Sequence, residues 1–521
     1  MSKFLKGTLI LIAASLITRI LGFINRIVIA RFIGEEGVGL YMMALPTLFL
    51  VIAITQFGLP VAISKFVAEA HARGDERKVK KILVVSLACT FSLSMIFTPL
   101  LIILAPILSE TLFTDQRTIW PLLAIAPVVP IIAISSVLRG YFQGKQNMKP
   151  FALSQLIEQI VRITFIAVLT KTFLPYGIEY AAAGAMLASI IGELASLLYL
   201  LRAFKLKKHF KLRKGFFKMA HSGKDTFTEL MGIAVPTTGS RMIGSFAWFL
   251  EPIVVAQSLA IAGVATAVAT KQYGELTGYA LPLLMLPSFL TSSLATSLVP
   301  AVSEAKSIGN MKLIEHRLQQ TLNITFSTGC LAVIALYVFA EPLLELMYGS
   351  SNAAVFIKFL APFFVMFYFQ IPLQAMLQAL NLARAAMINS LIGAIVKIVV
   401  IFLLATKESF GIMGAAMGIA VGTVLVTFLH FSTVLKVVPF TIHVRSYCSA
   451  LLIGLISGAG GYYMFYYLLT NFSISTRLLS SLTILLITYI VLMLATGSIK
   501  KSDLQRIPRI GPFLARFAWR P

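Results

Sequence analysis

The stretch from Gly7 to Gly34 constrains this chain most. It is Leu, Ile, Val, Ala and Phe almost throughout, and exceeds the ~20 apolar residues that cross a bilayer as a helix. Inside it stand Arg19 and Arg26. At this spacing they lie about two turns apart on one helix face, with Gly22 and Phe23 between them. A charge at the centre of a span costs roughly 2.5–3.5 kcal/mol on insertion scales. Two on one face predict a polar interior that lipid does not see. Arg19 is the deeper and points to a water-filled cavity, with a carboxylate partner on a neighbouring helix or a side chain reaching to the headgroups as the plainer alternatives. Arg26, nearer the far end, fits either that cavity or a side chain reaching to the headgroups.

Comparable apolar runs recur to the end of the chain, and the length criterion predicts about fourteen spans. Charged residues make up only 12% of the sequence, against about 25% in soluble proteins. The fold class expected is therefore an all-α polytopic membrane protein. Lys3 and Lys6 ahead of an apolar run resemble a signal peptide. The run is too long, holds Arg19 and shows no small-residue cleavage site, so it reads as a retained first span.

The net charge of +24 would suit nucleic acid, but its distribution excludes that partner. The basic residues gather at the N-terminus and in every second loop: Arg73 to Lys81, Arg139 to Lys149, Arg202 to Lys224, Lys306 to Arg317, and the tail from Lys500. The intervening loops carry acids instead, among them Glu35, Glu36, Glu110 and Asp115. By the positive-inside rule both termini are expected in the cytoplasm. In the most basic loop, phenylalanines from Phe204 to Phe217 alternate with lysines, which suits anionic lipid headgroups.

No enzyme constellation or cofactor motif appears: no phosphate-binding loop, zinc-type histidine cluster or nucleophile elbow. Cys89, Cys330 and Cys448 lie in separate apolar segments and read as small core residues.

Several spans carry polar groups. Gln155, Glu158 and Arg162 share a face of the fifth span. Glu158 and Arg162 either pair structurally or form a polar wall. Glu193 in the sixth span has no evident partner, and with Glu158 it is a candidate coupling or ion-pair group. Lys65 and Glu69 have the spacing of an exposed ion pair. In segment seven Arg241 follows a polar, proline-containing turn, much as Arg19 sits in segment one. Gln370, Gln374, Gln378 and Asn381 lie in segment ten, and Asn389, Gly393 and Lys397 share a face of segment eleven. Prolines and glycines of segments two, four and seven are the expected flexing points.

The second half repeats the first. Ala68-Glu69-Ala70 with Gly74 corresponds to Ser303-Glu304-Ala305 with Gly309, and Val161-Arg162-Ile163 to Val396-Lys397-Ile398; 304 − 69 and 397 − 162 both equal 235. An even number of spans separates Arg19 from Arg241, so equivalent helices run the same way. The architecture expected is two six-helix bundles in a parallel repeat, residues 1–203 and 227–436, joined by a basic cytoplasmic linker at 204–226. Two extra helices at 446–497 and a basic cytoplasmic tail at 498–521 follow. Facing surfaces would collect Arg19, Arg26, Arg162, Arg241, Lys397, Gln374 and Gln378 as a cationic, amide-rich cavity suited to a sugar phosphate. In the extra helices, Gly454, Gly458, Gly460 and Gly461 precede Tyr462, Tyr463, Tyr466 and Tyr467, a close-packing face followed by an aromatic belt or a lipid-tail groove.

At TRILGFINRIVIARFIG (Thr18 to Gly34), GEEGVGLY (Gly34 to Tyr41) and RGYFQGKQNMKP (Arg139 to Pro150) the chain resembles the polysaccharide-exporter branch of the multidrug/oligosaccharidyl-lipid/polysaccharide exporter superfamily. The likeness covers essentially the whole chain and is nearest to sporulation members from endospore-forming bacilli. It implies a V-shaped pair of bundles that flips an undecaprenyl-pyrophosphate-linked precursor by alternating access, lipid II for spore-cortex peptidoglycan. It also implies a cell-membrane location, in the mother-cell or outer forespore membrane, with cell-wall synthesis proteins as partners. The related MurJ flippases carry Arg-x-Leu-Gly-Phe-x-Arg-Asp in their first helix. Arg19, Leu21, Gly22 and Phe23 match it, whereas Asn25 and Arg26 replace the Arg-Asp pair. Two other readings stand beside this one: a cation-coupled multidrug exporter, which needs carboxylates in the cavity, and a non-transporting scaffold for wall synthesis.

Overall fold

The computed structural model describes residues 3–207, 219, 223–439, 441 and 444–497. Most of the basic 204–226 segment and all of the 498–521 tail lie outside them. The described chain is helical, with no strand among the described residues.

The first compact unit comprises Met1–Gly278 and Ala405–Ile412. Its helices are α1 (Lys3–Gln56), α2 (Leu59–Ala72), α3 (Glu76–Ile107), α4 (Ile119–Ile125), α5 (Val128–Gly144), α6 (Met148–Phe173), α7 (Ile178–Lys207), α8 (Lys224–Ile261) and α9 (Thr266–Gly274). The second comprises Tyr279–Leu404 and Met413–Pro521. It holds α10 (Leu281–Met285), α11 (Ser288–Ser307), α12 (Met311–Val338), α13 (Ala340–Tyr348), α14 (Ala354–Ala379), α15 (Ala383–Ala405), α16 (Ile412–Leu435), α17 (Val444–Tyr463) and α18 (Ile474–Ala495).

Among the described residues twelve helices are long and apolar enough to cross a membrane, or thirteen with the bent pair Thr266–Met285 and Ser288–Ser307. The first run, Ala14–Ala72, has 59 residues, well over twice what one crossing needs. Its helix is interrupted at Gly34, where φ is 65° and ψ −174°, a conformation that suits glycine. Fourteen crossings follow if the run is taken as two, one on each side of Gly34.

In the first unit the core joins α2, α3, α5, α7 and α8 through residues such as Ile63, Leu83, Tyr141, Leu200 and Leu230. Gly140 and Gly144 let α5 sit directly on α2. A Cβ on Gly144 would come within 2.7 Å of the Ser64 carbonyl oxygen, the close approach that small residues four apart permit. In the second unit α11, α12 and α14 pack around Val302, Leu318 and Met376. Gly454 and Gly458 of α17 lie against Ile334, and Gly461 lies against Leu485 and Phe339.

The breaks fall partly where expected. Span two breaks at Phe57 and Gly58, both at positive φ, and span four breaks between α4 and α5 ahead of Pro127 and Pro130. Segment seven does not break. The stretch before Arg241 is continuous helix rather than a turn, with Pro236 inside it. Thr237 and Thr238 donate their hydroxyls back to the carbonyls of Ile233 and Ala234, which keeps this polar stretch satisfied within the helix. The bend lies instead in segment eight, 52° between its two halves, at Pro287, which has no N–H to continue the ladder.

The offset of 235 recurs in backbone detail. Gly74 and Gly309 share φ of +69°. Asp75 and Asn310 then cap α3 and α12, accepting from the N–H of Lys78 at 2.8 Å and Leu313 at 3.0 Å. The turns after α5 and α14 match as well, with Gln146 at φ 52° and Asn381 at φ 63°.

Candidate functional site

A buried charge cluster ties α5, α6 and α7. Glu158 and Arg162 lie one turn apart on α6, and the Arg162 guanidinium donates to Glu158. Arg139 of α5 closes the cluster. Its Nη2 lies 3.0 Å from Glu158 Oε2, 3.1 Å from Glu193 Oε1 and 3.1 Å from the Ser196 hydroxyl. Glu193 is 3% and Glu158 9% exposed. The helices meet this closely because of Gly192, where a Cβ would lie 2.8 Å from the Glu158 carbonyl oxygen. Two arginines and two glutamates sum to zero, which is how charges persist in an apolar setting.

The sequence had placed Arg139 in a basic loop. The structure corrects this: Arg139 lies inside α5 and is the partner of Glu193. A signal was present. The apolar periodicity of VLRGYFQG runs on past Arg139 to Gly144, so the helix continues beyond the hydrophobic run.

A second cluster forms at the GEEGVGLY stretch. Asp115 accepts from Arg117 Nε at 3.0 Å and Nη2 at 2.9 Å, and from the Thr270 hydroxyl at 2.7 Å. Arg117 also donates to Glu36 at 2.6 Å. Lys271 lies 3.1 Å from Glu35 and 3.9 Å from Glu275. Burial pushes the Asp115 carboxyl up, but the hydrogen bonds from Arg117 and Thr270 and the guanidinium charge outweigh it and hold the group below the usual range. A depressed carboxylate adds stability above its unfolded value, about 3.9, and loses it as pH falls through the folded value. The melting-temperature gap between wild type and Asp115→Asn is therefore expected to be full near pH 7 and to shrink below about pH 4. A gap of constant size down to pH 3 would show that Asp115 is not held as the ionised partner of Arg117.

The other candidate residues lie elsewhere along the helices. Arg19 on α1 and Arg241 on α8 are exposed, and Arg26 is half-buried. Asn25 beside it is buried, and its side-chain oxygen finds no partner among the described residues. In the second unit Gln374 and Gln378 are exposed on α14. Gln370 donates to the Thr423 carbonyl of α16 at 2.7 Å. Lys397 packs its Cβ against Gly422. Asn389 binds the Leu429 carbonyl, the Thr433 hydroxyl and the ring of buried His430. Sequence reasoning passed over His430 as one of six scattered histidines, and it passed over the buried carboxylates Glu251 and Glu275. The pair at Lys65 and Glu69 forms at 4.0 Å, exposed to the surroundings.

Residues 4–306 match the polysaccharide biosynthesis protein family, and residues 276–403 match MatE. The chain is 60% identical to stage V sporulation protein B of Bacillus subtilis (strain 168) over 513 residues, 98% of this chain and 99% of that protein. It is 27% identical to the lipid II flippase MurJ of the same organism, over 76% of each. A solved structure of lipid II flippase MurJ in an inward closed conformation superposes with a TM-score of 0.71 at 14% identity, covering 96% of this chain and 100% of that one. The chain belongs to the polysaccharide biosynthesis protein family of the multidrug/oligosaccharidyl-lipid/polysaccharide exporter superfamily, as a multi-pass membrane transporter rather than an enzyme.

Proposed function

We propose that the protein flips an undecaprenyl-pyrophosphate-linked glycan precursor, lipid II for spore-cortex peptidoglycan, by alternating access. One observation carries this reading: Arg241 is exposed within an apolar helix, where a guanidinium needs water or an anion, and Arg19 reaches the surface of another. Bidentate arginine is suited to pyrophosphate, and the exposed amides of Gln374 and Gln378 to sugar hydroxyls. Arg26 and Lys397 add positive charge. Arg162, held by Glu158, orients the polar face of α6. A cation-coupled drug exporter is less well supported. Glu158 and Glu193, the carboxylates it would use, are both engaged by Arg139.

In this reading residues 1–203 and 227–436 act as two rocking bundles with both termini in the cytoplasm. The breaks at Gly58, Pro127 and Pro287 supply flexure. The 204–226 linker and the 498–521 tail hold anionic headgroups at the inner surface. The likeness to stage V sporulation protein B supports action during sporulation, and the reading places the chain in the mother-cell or outer forespore membrane, beside wall-synthesis proteins.

The test is reconstitution in liposomes with fluorescent lipid II, following its accessibility to an external quencher. Wild type is expected to expose the lipid. Arg19→Glu and Arg241→Glu are expected to insert and elute normally yet lose transport by at least about tenfold, since repelling one phosphate contact costs 1.4 kcal/mol or more. Full activity of either variant would remove the arginines from the site. An inactive wild type, with complementation in cells by the transport-dead variants, would favour the scaffold.

A further inference from the structure

Two contacts fix how the second half of α1 runs along α8, both within the first unit. The rings of Phe49 and Trp248 lie 5.0 Å apart between centroids, tilted by 34°. Gly58, just past the end of α1, meets α8 further back. A Cβ there would lie 2.7 Å from the Ala234 carbonyl oxygen and 3.0 Å from the Thr237 Cβ. Residue numbers rise along one helix as they fall along the other, so the two are antiparallel.

Helix geometry says what lies between those contacts. At 100° per residue, Ala234, Thr237, Gly244 and Trp248 all fall within about 60° of Arg241 around α8. Arg241 therefore lies on the strip of α8 that is turned to α1. On α1, Gln56 falls within about 20° of Phe49, and Ala53 within about 40°. Arg241 and Gln56 each stand seven residues from the ring on their own helix, roughly 10 Å along the axis. A guanidinium and an amide thus share one level of the facing strips, and two aromatic rings share another. Between the levels both helices carry small residues, Ala53 and Gly244. Nothing stands within 4 Å of a Cβ on Gly244. The strips enclose a niche with a polar end and an aromatic end.

The chemistry of the two ends selects the ligand. Hydrocarbon does not suit a strip that carries an exposed guanidinium. Arginine suits a phosphate, and the amide of Gln56 both donates and accepts, as a sugar hydroxyl requires. Trp248 is 40% and Phe49 42% exposed, so the rings leave aromatic face uncovered. An aromatic face is electron-rich, and the C–H face of a pyranose offers it the positive ends of several bonds. With the reach of the arginine side chain, the two levels span a diphosphate and the sugar bonded to it.

We propose that the Phe49–Trp248 pair is the platform on which the first sugar of the carried lipid rests while Arg241 holds its diphosphate, so that the niche distinguishes glycosylated carrier from bare polyprenyl diphosphate. The assignment rests on the transport reading above, and the experiment separates the two. The full chain in detergent is titrated with polyprenyl diphosphate bearing N-acetylglucosamine and with bare polyprenyl diphosphate of the same chain length, and bound fractions are read by native mass spectrometry. Wild type is expected to prefer the glycosylated lipid. Trp248→Leu is expected to weaken that lipid about tenfold, the loss of a ring-face contact, and the bare lipid by less than about twofold. Trp248→Phe, which keeps a ring, is expected to stay within about threefold of wild type. Arg241→Gln is expected to weaken both lipids alike, since both carry the diphosphate. Phe49→Leu replaces Trp248→Leu should the latter fold poorly. Equal affinity of wild type for the two lipids, or a parallel loss of both in Trp248→Leu, overturns the proposal. Transport of the glycosylated lipid is then followed in liposomes. Wild type that prefers the glycosylated lipid yet moves none of it would sink the transport reading and leave the platform. Transport by wild type that Trp248→Leu and Phe49→Leu both match would do the reverse.

Discussion

Arg139→Met is expected to destabilise the folded protein by about 3–5 kcal/mol, the cost of removing one partner from a buried ion pair. Arg139 Nη2 alone contacts Glu158, both oxygens of Glu193, and Ser196. Without it two carboxylates share an apolar space with only Arg162, and the cluster carries one net negative charge. The matched change is the informative control. Arg139→Met with Glu193→Gln restores neutrality, leaving Glu158 with Arg162, and is expected to recover most of the loss. Thermal unfolding in detergent, read by the monodisperse fraction after heating, measures all three proteins. A single variant as stable as wild type, or a double variant no better than the single, would show that the cluster does not hold α5, α6 and α7 together. Arg139→Lys is expected to fall between, because one ammonium cannot reproduce the planar fork.

Gly39→Ala is the second large effect. A Cβ on Gly39 would lie 2.0 Å from the Thr270 carbonyl oxygen, and one on Gly274 would lie 2.1 Å from the Glu35 carbonyl oxygen. Both obstacles are backbone, so the two helices must separate. Overpacking of this kind costs about 1–3 kcal/mol, occasionally more. Separation would also pull on the bonds from Thr270 to Asp115 and from Lys271 to Glu35. Gly22→Ala provides the contrast, since nothing stands within 4 Å of its Cβ position. There the helix gains up to about 1 kcal/mol from propensity. A clear drop in melting temperature for Gly39→Ala and Gly274→Ala, with none for Gly22→Ala, is expected. Equal behaviour of all three would mean that this contact is not formed in the folded protein.

Much of the buried charge cluster was visible in the residues because membranes punish charge. A glutamate and an arginine one turn apart, as at Glu158 and Arg162, announce a pair wherever the surroundings are apolar. The close packing of Gly454, Gly458 and Gly461 was legible for a related reason, since glycines at helical spacing in an apolar run have few other uses. What escaped was the third partner. Arg139 lies nineteen residues from Glu158 and fifty-four from Glu193, and no local pattern links them. The bend was misplaced likewise. Pro236 and Pro287 are both prolines in apolar helices, and neither residue type alone says which helix stays straight.

The sequence by itself determined the helical class, the spans and the duplication. Apolar length is a one-dimensional property, and a backbone in lipid must satisfy its own hydrogen bonds, so helix is the answer wherever such a run occurs. Equal residues at a constant offset then meet equal local geometry, as the matching turns at Gly74 and Gly309 show. Only the tertiary structure decided which charges are consumed and which face outward. Arg162 and Arg241 look alike along the chain, yet Arg162 is held by Glu158 while Arg241 is exposed. That difference depends on which helix stands alongside, and a helix's neighbours are chosen by contacts between residues far apart in sequence.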